Sequence, residues 1–257
     1  MQHGGNVQIQ IPQMGRAVKW LLIVSVVTFV IQAGIERWHS ELPISYFLGF
    51  VPKLLLNGWI WQPFTYAFLH AGVFHLVFNL LVVWSIGSEL DHTWGPRRFL
   101  VYFFGCTLGA ALTYMAFAAL GWGGAMDVPV VGSSGAVYGL LLAYGVLFGE
   151  RTLYFFMIFP MKAKYFVMIL GGVLLLSMLS NAEAGVAHAA HLGGLVAGIF
   201  LLAGMAAWKR RARGDDGRKA AAREAKERKE RLEKASHLKL VKGDPAKDEG
   251  GGPKIWH

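Results

Sequence analysis

A serine hydroxyl becomes a nucleophile only when a neighbouring base accepts its proton, and this chain carries a serine and several histidines in suggestive surroundings. Ser134 lies in Gly132-Ser133-Ser134-Gly135, a glycine-flanked turn that opens an apolar run. A hydroxyl at a helix start has free backbone N–H groups beside it, and these favour negative charge developing on a substrate oxygen. His191 is the best-placed base, because Gly194 and Gly198 follow it at helical spacing while Gly135 and Gly139 follow Ser134. Two glycine-lined helix faces can approach closely enough for a Ser–His hydrogen bond. No Asp or Glu falls within Ser134 to Gly149 or Ala187 to Trp208, so the pairing expected is a dyad rather than a triad. A third group, His70, His75 and Asn79, offers hydrogen-bond donors, with His75 and Asn79 four residues apart on one helical face.

Blander readings compete with each of these assignments. A serine at a helix start is commonly an N-cap, and a histidine or asparagine in an apolar helix commonly ties helices together. Four histidines (His70, His75, His188 and His191) could be metal ligands, but their spacings fit no zinc motif and HExxH is absent. The GxSxG elbow of soluble hydrolases also fails, since residue 136 is Ala and no strand precedes it. No metal or cofactor is therefore expected.

The elements that must position these residues are membrane helices. Of 257 residues, 54% are hydrophobic and 16% charged, well under the charge of about 25% usual in a soluble domain. Six apolar segments are long enough to span or nearly span a bilayer: Ala17 to Ile35, Gly72 to Ser88, Arg98 to Leu120, Ser134 to Gly149, Lys164 to Ser180 and Ala187 to Trp208. The fold class expected is all-α, a polytopic six-helix bundle, with an arm over residues 1–16, a helical domain over 17–208 and a basic tail over 209–257. The first segment has no small-residue cleavage site after it and reads as a retained signal anchor. The single cysteine, Cys106, lies in an apolar run and reads as a packing residue.

Charge sets the expected orientation. The tail holds 16 of the 25 Lys and Arg residues. With the N-terminus inside, the inner connections hold Arg16, Lys19, Arg97, Arg98, Arg151, Lys162 and Lys164, and the outer ones only Arg37 and Lys53. The positive-inside rule thus puts both termini in the cytoplasm. Segments 2, 4 and 6 then run inward, and their N-terminal ends bring Ser134, His191, His70, His75 and Asn79 to one level in the outer half of the bilayer. An ionisable group at bilayer depth costs about 3 kcal/mol on insertion scales, so this coincidence of depth weighs against purely structural roles. The first outer loop, Glu36 to Ala71, is apolar, and its Tyr46, Trp59 and Trp61 suit the headgroup level. In the tail, Glu224/Arg228, Glu227/Arg231 and Glu230/Lys234 support an exposed helix, followed by a disordered end. Anionic lipid is the partner its charge best fits, and no groove-reading module for nucleic acid accompanies it.

These residues resemble the rhomboid family of intramembrane serine proteases over nearly all of Ala17 to Trp208. The matching pieces are His70-(x4)-His75-(x3)-Asn79, Gly132-x-Ser134-Gly135 and His191-x-x-Gly194-x-x-x-Gly198, in order and on segments 2, 4 and 6. The resemblance implies Ser134 as nucleophile and His191 as general base and then acid. It further implies an oxyanion hole of His75, Asn79 and the Ser134 backbone N–H, and Tyr138 packed on the His191 ring. His70 would be a structural hydrogen-bonding residue, and Glu89, Gly95, Arg97, Arg98 and Phe99 would form an inner structural turn. Segment 5 and the loop after it, Lys164 to Val186, would form a lateral gate and cap. One departure is Trp61-Gln62, where the family often has Trp-Arg, which questions how the first outer loop is anchored.

The activity implied is hydrolysis of peptide bonds in or near transmembrane segments of membrane proteins, in a bacterial plasma membrane. A non-catalytic rhomboid-like protein binding transmembrane clients would share the fold, but such proteins generally lack the Ser or the His, and both are present. A transporter would be expected to show paired repeats or intramembrane carboxylates, and neither is seen in the sequence.

Overall fold

The computed structural model describes residues 13–38, 44–122, 124–155, 159–180 and 185–236. Residues 1–12 of the expected arm (1–16), the loop at 181–184 within the expected cap, and residues 237–257, which include the expected disordered end at 243–257, lie outside the described residues. The chain divides into two units, Met1–Met205 and Ala206–His257.

The first unit is built from apolar helices. Helix α1 (Arg16–Trp38) is followed by three short helices in the loop before the second apolar segment, α2 (Ile44–Leu48), α3 (Pro52–Leu56) and α4 (Gln62–Thr65), the last running into a 3₁₀ turn at Tyr66–Phe68. Proline at the first or second position starts α3 and α4, where its fixed φ suits a helix and its missing N–H costs nothing. The second segment is α5 (Val73–Val82), a π turn (Val83–Gly87) and α6 (Ser88–Trp94). It runs beyond the expected end at Ser88 and stops at Gly95, whose φ of +79° suits glycine. Then come α7 (Pro96–Ala119), α8 (Ser134–Leu147), a hairpin of β1 (Thr152–Phe155) and β2 (Phe159–Lys162), α9 (Ala163–Ser180) and α10 (Gly185–Ser236). The antiparallel hairpin was not legible in the sequence, because its apolar run LYFFMIFPM reads equally as buried helix.

Among the described residues, four helical stretches are long and apolar enough to cross a membrane, Arg16–Trp38, Val73–Trp94, Pro96–Ala119 and His188–Lys234, and two shorter apolar helices, Ser134–Leu147 and Ala163–Val173, accompany them. These are the six apolar segments of the sequence, and the chain is an all-α polytopic membrane protein. Its helices expose Val30, Phe74, Val101, Met168 and Phe200, each more than 60% accessible. Only a hydrocarbon solvent makes such a surface stable, because backbone polar groups are already satisfied within the helices.

The core lies between helices. Tyr102, Tyr114, Phe99, Leu90 and Leu140 are fully buried, as is Cys106, and the Tyr102 hydroxyl donates to the Gly139 carbonyl at 2.8 Å. Beside this core, the Asp91 carboxylate accepts the Ala17 N–H at 2.9 Å and the Val18 N–H at 3.5 Å. It thereby caps the start of α1 from α6, satisfying N–H groups that have no intrahelical partner. Glu89, expected in a structural turn, instead sits on α6 and forms an ion pair with Arg151. The second unit is the exposed cationic stretch of α10. There the ion pair among the described residues is Lys229–Glu233 at 4.0 Å, rather than the three pairs the spacing predicts.

Candidate active site

Ser134 opens α8, and Ser133 is its N-cap residue, with no side-chain capping bond. The capping reading of the Ser134 hydroxyl therefore has no geometry behind it. As the first helical residue, Ser134 also has a backbone N–H with no acceptor within the helix. The turn before it depends on Gly132, whose φ is +115°. A Cβ there would stand 2.6 Å from Cε1 and 2.9 Å from Nε2 of His75, so Gly132 is required both for its conformation and for the space the His75 ring occupies.

The Nε2 atom of His191 lies 2.7 Å from the Ser134 Oγ. The helices meet there because side chains are missing: a Cβ at Gly194 would fall on the backbone of Gly135, and one at Gly139 on the Cys106 side chain. A Cβ at Gly198 would stand 2.6 Å from the Tyr102 hydroxyl, and one at Gly135 would overlap Ala110. Small residues thus set the distance between α8 and α10. The Tyr138 ring, one turn beyond Ser134, stacks on the His191 ring with centroids 4.6 Å apart and planes 20° apart. His188 meets the His191 ring edge-on at 6.3 Å. The His191 Nδ1 atom is buried and has no hydrogen-bond partner among the described residues; there the Tyr138 face packs on the ring.

His75 and Asn79 stand on α5. The Asn79 Nδ2 donates to the His75 carbonyl at 2.7 Å, which fixes the amide and leaves its second N–H free. The His75 Nδ1 accepts the Ala71 N–H at 3.4 Å. With Nδ1 as acceptor, the neutral ring carries its proton on Nε2, on the ring edge that lies against Gly132. The arrangement can therefore present donors from His75, Asn79 and the Ser134 backbone. The His70 ring is buried edge-on against His75, with centroids 5.2 Å apart, and the His70 backbone N–H donates to the Gln32 Oε1 at 3.2 Å.

The loop between α1 and α5 is anchored by residues outside the three motifs. Gln62 is fully buried; its Oε1 accepts the Val51 N–H at 3.0 Å and its Nε2 donates to the Tyr46 carbonyl at 2.6 Å. Trp61 Nε1 donates to the Phe47 carbonyl at 2.9 Å and the Thr65 hydroxyl to that of Leu48 at 2.6 Å. The Trp61-Gln62 departure thus leaves the loop anchored. A buried amide in an apolar loop was the available signal, since such a group must find partners.

Residues 57–208 match the rhomboid domain model. The chain belongs to the rhomboid family. This rhomboid is 28% identical over 160 residues to rhomboid protease GluP of Bacillus subtilis, covering 60% of this chain and 27% of that one. It is 34% identical over 122 residues to human rhomboid-related protein 3, covering 47% and 26%. With rhomboid protease GlpG of Yersinia pseudotuberculosis it shares 29% identity over 144 residues, covering 55% and 47%. The chain thus spans between a quarter and about half the length of these relatives.

Proposed function

We propose that this rhomboid is an intramembrane serine endopeptidase acting on transmembrane proteins through a Ser134–His191 dyad. The observation that carries the reading is the 2.7 Å approach of His191 Nε2 to Ser134 Oγ under the stacked Tyr138 ring. That distance lies in the range for direct proton transfer between a nucleophile and its base.

In this reading the Ser134 Oγ attacks the carbonyl carbon of a peptide bond in a locally unwound substrate segment, as its proton passes to His191 Nε2. The oxygen becomes an oxyanion held by the His75 ring N–H, the Asn79 amide and the Ser134 backbone N–H. Collapse breaks the C–N bond, and the amine leaves with the proton from His191. Water, deprotonated by the same nitrogen, then attacks the acyl-enzyme, and Ser134 regains its hydrogen as the carboxyl product departs. Each oxyanion donor is worth about 3 kcal/mol of transition-state stabilisation.

The basic inner connections support cytoplasmic termini and a site open to the outer side of a bacterial plasma membrane. Helix α9 with the loop beyond it serves as gate and cap, and the basic tail contacts anionic lipid. The deciding experiment is labelling of the purified full chain with a fluorophosphonate, alongside cleavage of a transmembrane reporter substrate. Both are expected in the wild type and absent in Ser134→Ala at unchanged helical content; equal labelling of Ser134→Ala would refute the assignment.

A further inference from the structure

We infer that Gln62 is a positioning residue for the nucleophile turn, acting through a hydrogen-bonded strap that joins the first outer loop to the segment before Ser134. The inference rests on the proposed Ser134 chemistry and deepens it.

The strap can be followed atom by atom. Gln62 holds the Val51 N–H through Oε1 and the Tyr46 carbonyl through Nε2, closing the loop on both sides of Phe50. Phe50 in turn forms a two-way antiparallel bridge with Val130, each N–H donating to the other's carbonyl at 2.9 Å. Two further bonds flank the bridge: the Lys53 N–H donates to the Met126 carbonyl at 2.8 Å, and the Gly132 N–H to the Tyr66 carbonyl at 2.9 Å. Tyr66 follows directly on α4, the helix that Gln62 begins, and its hydroxyl is tied to the Thr107 carbonyl at 2.8 Å. The chain from Met126 to Gly132 is therefore stitched along its length to elements that Gln62 fixes.

This stitching has a consequence for the reacting atoms. Gly132 must keep its left-handed conformation for the His75 ring to lie against it, and its N–H is the last strap bond before Ser134. Phe50, Val51 and Gln62 are essentially inaccessible, so strap bonds lost there are not replaced by water at no cost. Without Gln62, the Val51 N–H and Tyr46 carbonyl lose their partner, the Phe50–Val130 bridge loses its backing, and the Ser134 hydroxyl and N–H lose their fixed position relative to His75 and His191. A displacement of about 1 Å at a reacting atom can cost about 100-fold in rate.

The test uses saturation kinetics of fluorophosphonate labelling on the full chain, separating the limiting rate from the half-saturating concentration. Gln62→Met, of similar length and without polar atoms, is expected to lower the limiting rate by about 10- to 100-fold with the half-saturating concentration unchanged. Gln62→Glu keeps an acceptor for Val51 but as a carboxylate cannot donate to Tyr46. Once protonated it can do both, so its rate relative to wild type at the same pH should rise as pH falls. Should Gln62→Met not fold, the pH dependence of that ratio decides alone. A Gln62→Met limiting rate within twofold of wild type, or a flat ratio for Gln62→Glu, overturns the inference while leaving the dyad standing. Absence of Ser134-dependent labelling in the wild type overturns both.

Discussion

Among the described residues, each member of the proposed site is held by something other than a charged partner. Ser134 owes its exposed backbone N–H to its place at the start of α8, and His191 owes its ring plane to Tyr138. His75 owes its tautomer to the Ala71 N–H. If Asn79 and His75 act as oxyanion donors, Asn79→Ala should lower kcat in reporter cleavage by about 100- to 1,000-fold with KM little changed, because the interaction forms only in the transition state. Gly132→Ala should be more damaging, since it forces an alanine to a φ of +115° and pushes the His75 ring aside. Its expected signature is a lost reaction rate together with a lower thermal midpoint, the backbone strain alone being worth about 1–3 kcal/mol.

At the scale of elements, the distance between α8 and α10 is a packing property. Gly194 sits against the Gly135 backbone, and Gly109 and Gly193 admit Ala197 and Thr113 at the neighbouring contact with α7. A methyl group at Gly194 has no flexible side chain to displace. Gly194→Ala is expected to destabilise the helical fold by about 1–3 kcal/mol, measured as a lower unfolding midpoint in detergent, and to abolish labelling of Ser134 before the helices melt. An unchanged midpoint with full labelling would mean that the helices are not held by this contact. The glycine spacing pointed to these faces, but only the packed structure pairs Gly194 with Gly135 and Gly139 with Cys106.

At the scale of the whole molecule, ion pairs among the described residues of the first unit gather around the hairpin. On the side of the hairpin, Glu150 forms ion pairs with Lys162 and Lys164, and Arg151 pairs with Glu89 while lying over the Phe148 ring. The two lysines hold the Glu150 carboxyl well below its ordinary range, at about 2. A carboxyl depressed in the folded state adds stability above its ordinary range, and that contribution is lost as pH falls through the folded value. The midpoint difference between wild type and Glu150→Gln should therefore be constant above about pH 5 and close as pH falls towards about 2; it should also be small, since Glu150 is solvent-exposed. Orientation is tested separately. A green fluorescent protein fused after His257 should fluoresce and alkaline phosphatase at the same place should be inactive, as cytoplasmic termini require.

The sequence by itself determined the membrane class, the six apolar segments, the order of the three motifs and the resemblance that the family match bears out, because hydrophobic length and residue spacing are local properties. It also marked Gln62 as a departure without saying what replaces the arginine. Only the tertiary structure decided that Gln62 anchors the loop, that the His70 ring packs edge-on against His75 and that Thr152–Phe155 pairs with Phe159–Lys162. The reason is physical: hydrogen-bond partners between residues far apart in the chain, and helix separations set by absent side chains, are fixed by packing that no single segment contains.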